Sequence, residues 1–281
     1  MTKPILVTGG TGKTGRRVAA ELQENRIVPR IATRNPTDKA HQRFDWSDPK
    51  TFAEAFENVG AVYLVAPTDT VDSLTAMRPG LETALKAGVN RFVLLSASSL
   101  EEGGPMMGAV HSWLGDNAPE WVVLRPTWFM QNFSELHHRG PIQDQSAIYT
   151  AAGHGRVGFI DAADIAACAA AMLTAPKVKN TDYILTGPEA VSYDDVAQIL
   201  SQHLGREIVH HCLTVDELAE RHRKNGLPDD YAATLASMDD AIAAGSEDRV
   251  TGSVLRLTGR APISMSEFVQ KNLGAWLTTQ D

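Results

Sequence analysis

An α/β fold on a doubly wound parallel sheet is predicted by three features of this chain. Strand-like apolar runs alternate with helical patterns over the first 130 residues. The runs are near-continuous rather than alternating in polarity, as in strands covered on both faces. The first of them feeds a glycine-rich turn that opens a helix.

Ile5-Leu6-Val7 is the first strand, and Thr8-Gly9-Gly10-Thr11-Gly12-Lys13-Thr14-Gly15 joins it to a helix starting Arg16-Arg17-Val18. Gly9, Gly12 and Gly15 fit Gly-x-x-Gly-x-x-Gly, while Gly10, Gly12 and Gly15 fit Gly-x-Gly-x-x-Gly. Such glycines permit a tight turn, close approach of backbone to pyrophosphate and close helix–strand packing. Free N–H groups and partial positive charge at the helix start favour phosphate. Gly9, Thr11, Gly12, Lys13, Thr14 and Gly15 are therefore expected to bind a dinucleotide.

The second strand, Ile27 to Thr33, ends at Arg34-Asn35-Pro36. A NAD-selective site offers a carboxylate there. Arg34, with Lys13 in the loop, suits the 2′-phosphate of NADP instead; the alternative is a solvated charge at a strand end. NADPH/NADP is the expected cofactor. After the short strand Gln42-Arg43-Phe44 come Asp45 and Trp46. They are expected to flank the adenine, although Trp46 equally suits half-buried packing.

Ala61 to Val65 is a further strand, and Ala66-Pro67 at its end joins the expected cofactor site. Asp72 to Ala87 is helical, closed by Gly88. Arg91 to Ser96 and Trp121 to Arg125 are the next strands. Beyond Pro126 the rhythm changes. Asp161 to Leu173 is an alanine-rich helix, with Asp161 and Asp164 as capping acids, and Thr181 to Leu185 is a strand. Ser192 to Leu204 is amphipathic, with Ser192 and Asp195 as a capping-box variant. Glu207 to His211 is a short strand, and Thr214 to Asn225, Asp229 to Ala244 and Met265 to Trp276 read as helices. The expected division is a dinucleotide-binding Rossmann core at 1–130 with 155–190, and a smaller, mainly helical substrate-capping lobe at 131–154 with 191–281.

Hydrophobic residues make up 43% and charged residues 21% of the 281-residue chain, a globular composition. A net charge of −8 with no basic stripe argues against nucleic acid. Two cysteines, Cys168 and Cys212, are too few for a disulfide framework. The histidines, including the adjacent His137-His138, show no ligand spacing, so no metal is expected. The chain runs straight into its first strand and has no membrane-length apolar run. A reducing, cytoplasmic setting, with no membrane partner, is the expectation.

Several segments resemble the NmrA-like, atypical short-chain dehydrogenase/reductase family, and within it the fungal ergot-alkaloid reductases (festuclavine and agroclavine dehydrogenases). They are Gly9 to Gly15, Arg34-Asn35-Pro36, Phe44-Asp45-Trp46, Phe92 to Ser99, Leu124 to Phe133, Leu185 to Leu200 and Leu227 to Tyr231. The resemblance implies NADPH-dependent reduction of an iminium carbon–nitrogen bond, with no requirement for an ergoline substrate.

Ordinary short-chain dehydrogenases carry Tyr-x-x-x-Lys after the fifth strand, and the tyrosine protonates the nascent alkoxide. Here the comparable helix reads His111-Ser112-Trp113-Leu114-Gly115. An iminium is already cationic and yields a neutral amine without proton transfer, so the loss of that pair fits an iminium better than a ketone. Positioning and electrostatic support then carry the catalysis. Pro126 and Thr127 are expected along the nicotinamide, with Ser96 and Ala97 beside it. Ser98 is a candidate hydrogen-bond partner of substrate, or else a turn former. His111 is a candidate acid or substrate contact, or else a structural histidine. Trp113, Trp128 and Phe129 are candidate substrate contacts. Trp128 and Phe129 offer faces to a planar cation, or else pack the cap. Two rival functions stand beside an iminium reductase: an NADP-holding redox sensor, and a quinone or dye reductase. A homodimer is compatible with either.

Overall fold

The buried run Ile5–Val7 forms β1, and the glycine turn returns the chain as α1 (Gly15–Glu24), which buries Val18, Ala19 and Leu22 on one face. The computed structural model describes residues 3–277, without the side chains of Asp230 and Tyr231. Residues 278–281 of the expected capping lobe lie outside the described residues. Next come β2 (Arg30–Thr33), β3 (Gln42–Arg43), α2 (Phe52–Phe56), β4 (Ala61–Leu64), α3 (Ser73–Lys86), β5 (Arg91–Leu95), α4 (Met107–Asn117) and β6 (Glu120–Pro126). The chain then passes through α5 (Gln131–Ser134), α6 (Arg139–Gln145), β7 (Ala147–Thr150) and β8 (Arg156–Val157), and continues as α7 (Ala162–Thr174) and β9 (Thr181–Leu185). It ends with β10 (Val191–Ser192), α8 (Tyr193–Leu204), β11 (Val209–Cys212), α9 (Val215–Lys224), α10 (Asp229–Ala243), α11 (Ser253–Thr258) and α12 (Met265–Lys271).

Seven strands form one parallel sheet in the order β3-β2-β1-β4-β5-β6-β9. Strand order reverses between β1 and β4, the switch point beside which doubly wound sheets bind ligands. The doubly wound α/β fold read from the sequence is the fold observed. Arg91 fastens β5 to the end of α7. It pairs with Glu120 at 2.7 Å and donates to the carbonyls of Met172, at 3.1 Å, and Ala175.

Two compact units are distinguishable. The first holds the chain up to Pro126, Ala162–Leu185 and Ser253–Arg260; the second holds Thr127–Asp161, Thr186–Gly252 and the chain from Ala261. Residues 127–130, 155–161 and 186–190 thus group with the second unit, where Phe129 bridges to Ile160 and β8 pairs with β10. Residues 253–260 group with the first, because α11 packs on α7.

Several expected boundaries shift for identifiable reasons. The strand expected from Ile27 begins at Arg30, because Pro29 has no N–H to pair and Val28 is exposed. Ser192 and Thr214 stand outside their helices as N-caps, each with a complete capping box. The last helix stops at Lys271 and continues as a short turn at Leu273–Ala275. Ribbon β7–β11, which is parallel, has no counterpart on the β7 side of the sequence reading.

Asp239 on α10 is buried, and its carboxylate accepts from the Ala151 N–H at 2.9 Å. Burial pushes its carboxyl up to about 6, against the pull of that hydrogen bond. The folded state therefore holds this proton more tightly than the unfolded chain. The resulting stabilisation is full below about pH 4 and is lost as pH rises through about 6. Asp239→Asn is expected to raise stability at pH 8 by about 2–3 kcal/mol and to give no gain at pH 4. Denaturant melts at both pH values check this; equal effects at the two would overturn it.

Candidate functional site

In the first unit the carboxyl ends of the strands gather the glycine turn and its cationic neighbours. Gly9 takes φ +58°, a conformation that strains any side chain, and its carbonyl accepts from the Gly12 N–H at 2.9 Å. A Cβ at Gly15 would stand 2.2 Å from the Gly9 oxygen, and one at Gly10 would stand 2.6 Å from Ile31 Cγ2. The Gly10 N–H donates to the Ala32 carbonyl at 2.8 Å, which ties the turn to β2. α1 starts at this turn with no side-chain cap at Thr14 and no acidic residue in its first turn. Arg16 and Arg17 stand there instead, and Arg17 donates to the Lys13 carbonyl at 2.8 Å. An uncapped helix start, a turn too tight for a Cβ and nearby cations fit the pyrophosphate of a dinucleotide.

The rim continues along β2, β3 and β4. The Thr11 and Thr33 hydroxyls lie 3.2 Å apart, which joins the turn to the end of β2, where Arg34 is exposed. Asp45 Oδ1 accepts from the Ser47 N–H at 2.9 Å and its hydroxyl at 2.8 Å. These bonds hold the Asp45 carboxyl below its ordinary value, with help from the charges of Arg34 and Arg43. Arg34 and Asp45 therefore share one neighbourhood. Trp46 is half-buried, donates to the Val65 carbonyl at 2.9 Å and meets Phe44 edge-on at 4.7 Å. Ala66 and Pro67 follow β4 with partial exposure.

Sequence reading missed Thr8. Its hydroxyl donates to the Tyr63 carbonyl and accepts from the Val65 N–H, both at 2.9 Å, so it locks β1 to β4 beneath the turn. A hydroxyl residue closing a buried strand was the available signal.

At the ends of β5 and β6, Ser96 and Ser98 are buried and Ala97 is half-buried. Ser98 donates its N–H to the carbonyl of Pro126, the last residue of β6, at 2.9 Å. Two of the expected site residues stand on α4. His111 is 2% exposed, meets Trp121 edge-on at 5.2 Å, and encloses both ring nitrogens without a hydrogen-bond partner. Burial pushes this imidazole below its ordinary value, against the pull of Glu102 and Asp182. Its enclosure suits the structural alternative for His111. Trp113 belongs to the core of the first unit, on the same buried face as Val110 and Leu114.

In the second unit, Thr127 is buried and donates its hydroxyl to the Gly158 carbonyl. Trp128 and Phe129 keep partial exposure; Trp128 borders that unit's apolar core, and Phe129 bridges to Ile160. His138 is buried and stacked on Phe133 at 5.0 Å, with the His137 ring 4.1 Å away.

Comparison with known proteins agrees with this chemistry. A family model described as NAD(P)H-binding matches residues 9–176. Agroclavine dehydrogenase of Claviceps fusiformis is 42% identical over 288 residues, spanning 97% of this chain and 98% of that protein. An uncharacterised oxidoreductase of Bacillus subtilis, YesF, is 42% identical over 276 residues, spanning 97% of this chain and 96% of its own length. Among solved structures, the Escherichia coli NADPH-dependent quinone oxidoreductase complexed with NADPH shares the fold. Its TM-score is 0.82 at 22% identity, covering 95% of this chain and 99% of that one. No helix among the described residues is long and apolar enough to cross a membrane. Identity at this level along nearly the full length of both partners makes the protein an NAD(P)H-dependent reductase, and the chain belongs to the NAD(P)H-binding, NmrA-like family of atypical short-chain dehydrogenase/reductases.

Proposed function

We propose that this chain is an NADPH-dependent reductase of iminium ions or similarly planar cationic acceptors. When bound, NADPH supplies hydride from its nicotinamide ring. The glycine turn and the start of α1 would hold the pyrophosphate, Arg34 and Lys13 the 2′-phosphate, and Asp45 and Trp46 the adenosine end. Ser96, Ala97, Pro126 and Thr127 would flank the nicotinamide, with Ser98 as a hydrogen-bonding candidate for the acceptor.

One observation carries the choice of acceptor. The helix that follows β5 contains neither tyrosine nor lysine, and its one histidine is enclosed, where burial disfavours its protonated form. A ketone needs a proton at the nascent alkoxide, and a positioned acid is worth about 10²–10⁴-fold in rate. An iminium needs none. Trp128 and Phe129, the first aromatic residues beyond β6, retain exposed surface. A cation gains about 0.5–2 kcal/mol from such a ring face. The similarity to agroclavine dehydrogenase favours the same class of acceptor.

The test is NADPH consumption with a panel of cyclic iminium salts, ketones, quinones and triphenylmethane dyes. Iminium turnover at least about 100-fold faster than that of ketones is the expected result. Faster turnover of quinones or dyes would replace the iminium reading, and no consumption with any acceptor would favour a redox sensor. His111→Leu removes the two unpartnered ring nitrogens and is expected to leave iminium reduction within about threefold of the parent. A hundredfold loss in a folded protein would show that His111 takes part in the chemistry.

A further inference from the structure

Arg125 is a cationic residue in the fully buried stretch Val122–Pro126 of β6, and it is 5% exposed. Its Nη1 donates to Asp182 Oδ2 at 2.7 Å. Its Nη2 donates to Glu101 Oε1 at 2.6 Å and to the Ser98 carbonyl at 2.8 Å. Its Nε reaches the Ala97 carbonyl at 3.4 Å. One planar fork thus ties β6 to the edge strand β9 and to the loop that leaves β5.

Burying a guanidinium is expensive, and an apolar residue of similar volume is often as good for stability or better. The partners chosen here are specific. The two carbonyls belong to Ala97 and Ser98, in a loop whose amides already pair with β6. Ser96 N–H donates to the Leu124 carbonyl at 2.8 Å, and Ser98 N–H donates to the Pro126 carbonyl at 2.9 Å. Main-chain bonds hold amides of this loop and Arg125 holds its carbonyls. A lysine, as a point charge on a flexible stem, lacks the fork that reaches several acceptors at once.

We propose that Arg125 is a positioning residue: it sets the backbone of residues 97–101 at the carboxyl end of β5 in the shape that the reaction needs. It touches neither nucleotide nor acceptor and acts through the loop alone. The proposal rests on reading that end of the sheet as the reaction site. A preset loop matters because small displacements of positioning groups cost rate far more than affinity. Nucleotide affinity is assigned mainly to the turn at 9–15 and to Arg34, on other strands.

The test compares Arg125→Gln, Arg125→Lys and Glu101→Gln with the parent by amide hydrogen exchange, NADPH titration and steady-state kinetics. In Arg125→Gln, exchange across residues 97–101 is expected to rise at least about tenfold. The turnover number falls about 10–100-fold while the Kd for NADPH stays within about threefold. Arg125→Lys falls between. Parent-like exchange in folded Arg125→Gln would overturn the proposal, as would losses of turnover and NADPH binding in equal proportion. Should Arg125→Gln fail to fold, Glu101→Gln decides. Its side chain is largely exposed, so the fold survives, and loop exchange should rise about threefold; parent-like exchange there would overturn the idea. If no acceptor is turned over by the parent, the iminium reading fails by itself, while hydrogen exchange and NADPH titration still decide the role of Arg125.

Discussion

Gly15→Ala is expected to weaken NADPH binding by at least about 100-fold and to lower the melting temperature by several degrees. The new Cβ would stand 2.2 Å from the Gly9 oxygen and 2.7 Å from the Gly9 carbonyl carbon. Both contacts are with backbone, so no side-chain rotation relieves them. Either α1 moves outward or the turn opens, and each displaces the helix start from a bound pyrophosphate. Gly12→Ala is the control: its Cβ meets the Gly9 oxygen at 3.1 Å and nothing else within 4 Å. A shift of a few tenths of an ångström suffices, so the Gly12 variant should keep the parental melting temperature. Calorimetric titration and thermal melts check both. A Gly15→Ala protein that bound NADPH within threefold of the parent would sink this account of the turn.

Arg34→Ala is expected to weaken NADPH by about 10–100-fold while changing NADH by less than about threefold. The side chain is exposed at the end of β2 and lies near enough to Asp45 to help depress its carboxyl. An exposed pairing of this kind is screened by salt. The NADPH-to-NADH preference of the parent should therefore shrink between low and high ionic strength, and the variant should show little such dependence. Equal losses for the two nucleotides would remove Arg34 from the selectivity assignment.

Much of this was legible in the residues. The strand, glycine turn and helix at 5–24 can be read directly because burial, tight turning and helix entry each demand particular residue types in sequence. Capping boxes at Ser192 and Thr214 are equally local. The shifted start of β2 arises where an apolar run was read without its partners. Ile27 and Val28 look like strand residues, yet Pro29 ends pairing and Val28 stays in water. Helical spacing also puts Trp113, an expected substrate contact, on the same buried face as Val110 and Leu114. The roles of Thr8 and Arg125 depend on partners more than 20 residues away in sequence. Only the strand order brings these together, and a single sequence does not display it.

The discontinuity of the first unit reaches back to the moment of synthesis. A nascent chain that has emerged as far as Asp161 holds β6 with one bare edge and Arg125 without Asp182, since α7 and β9 come later and α11 later still. A gene fragment ending at Pro126 should accordingly fail to fold alone, and any permuted version must keep Ala162–Leu185 within reach of that waiting edge.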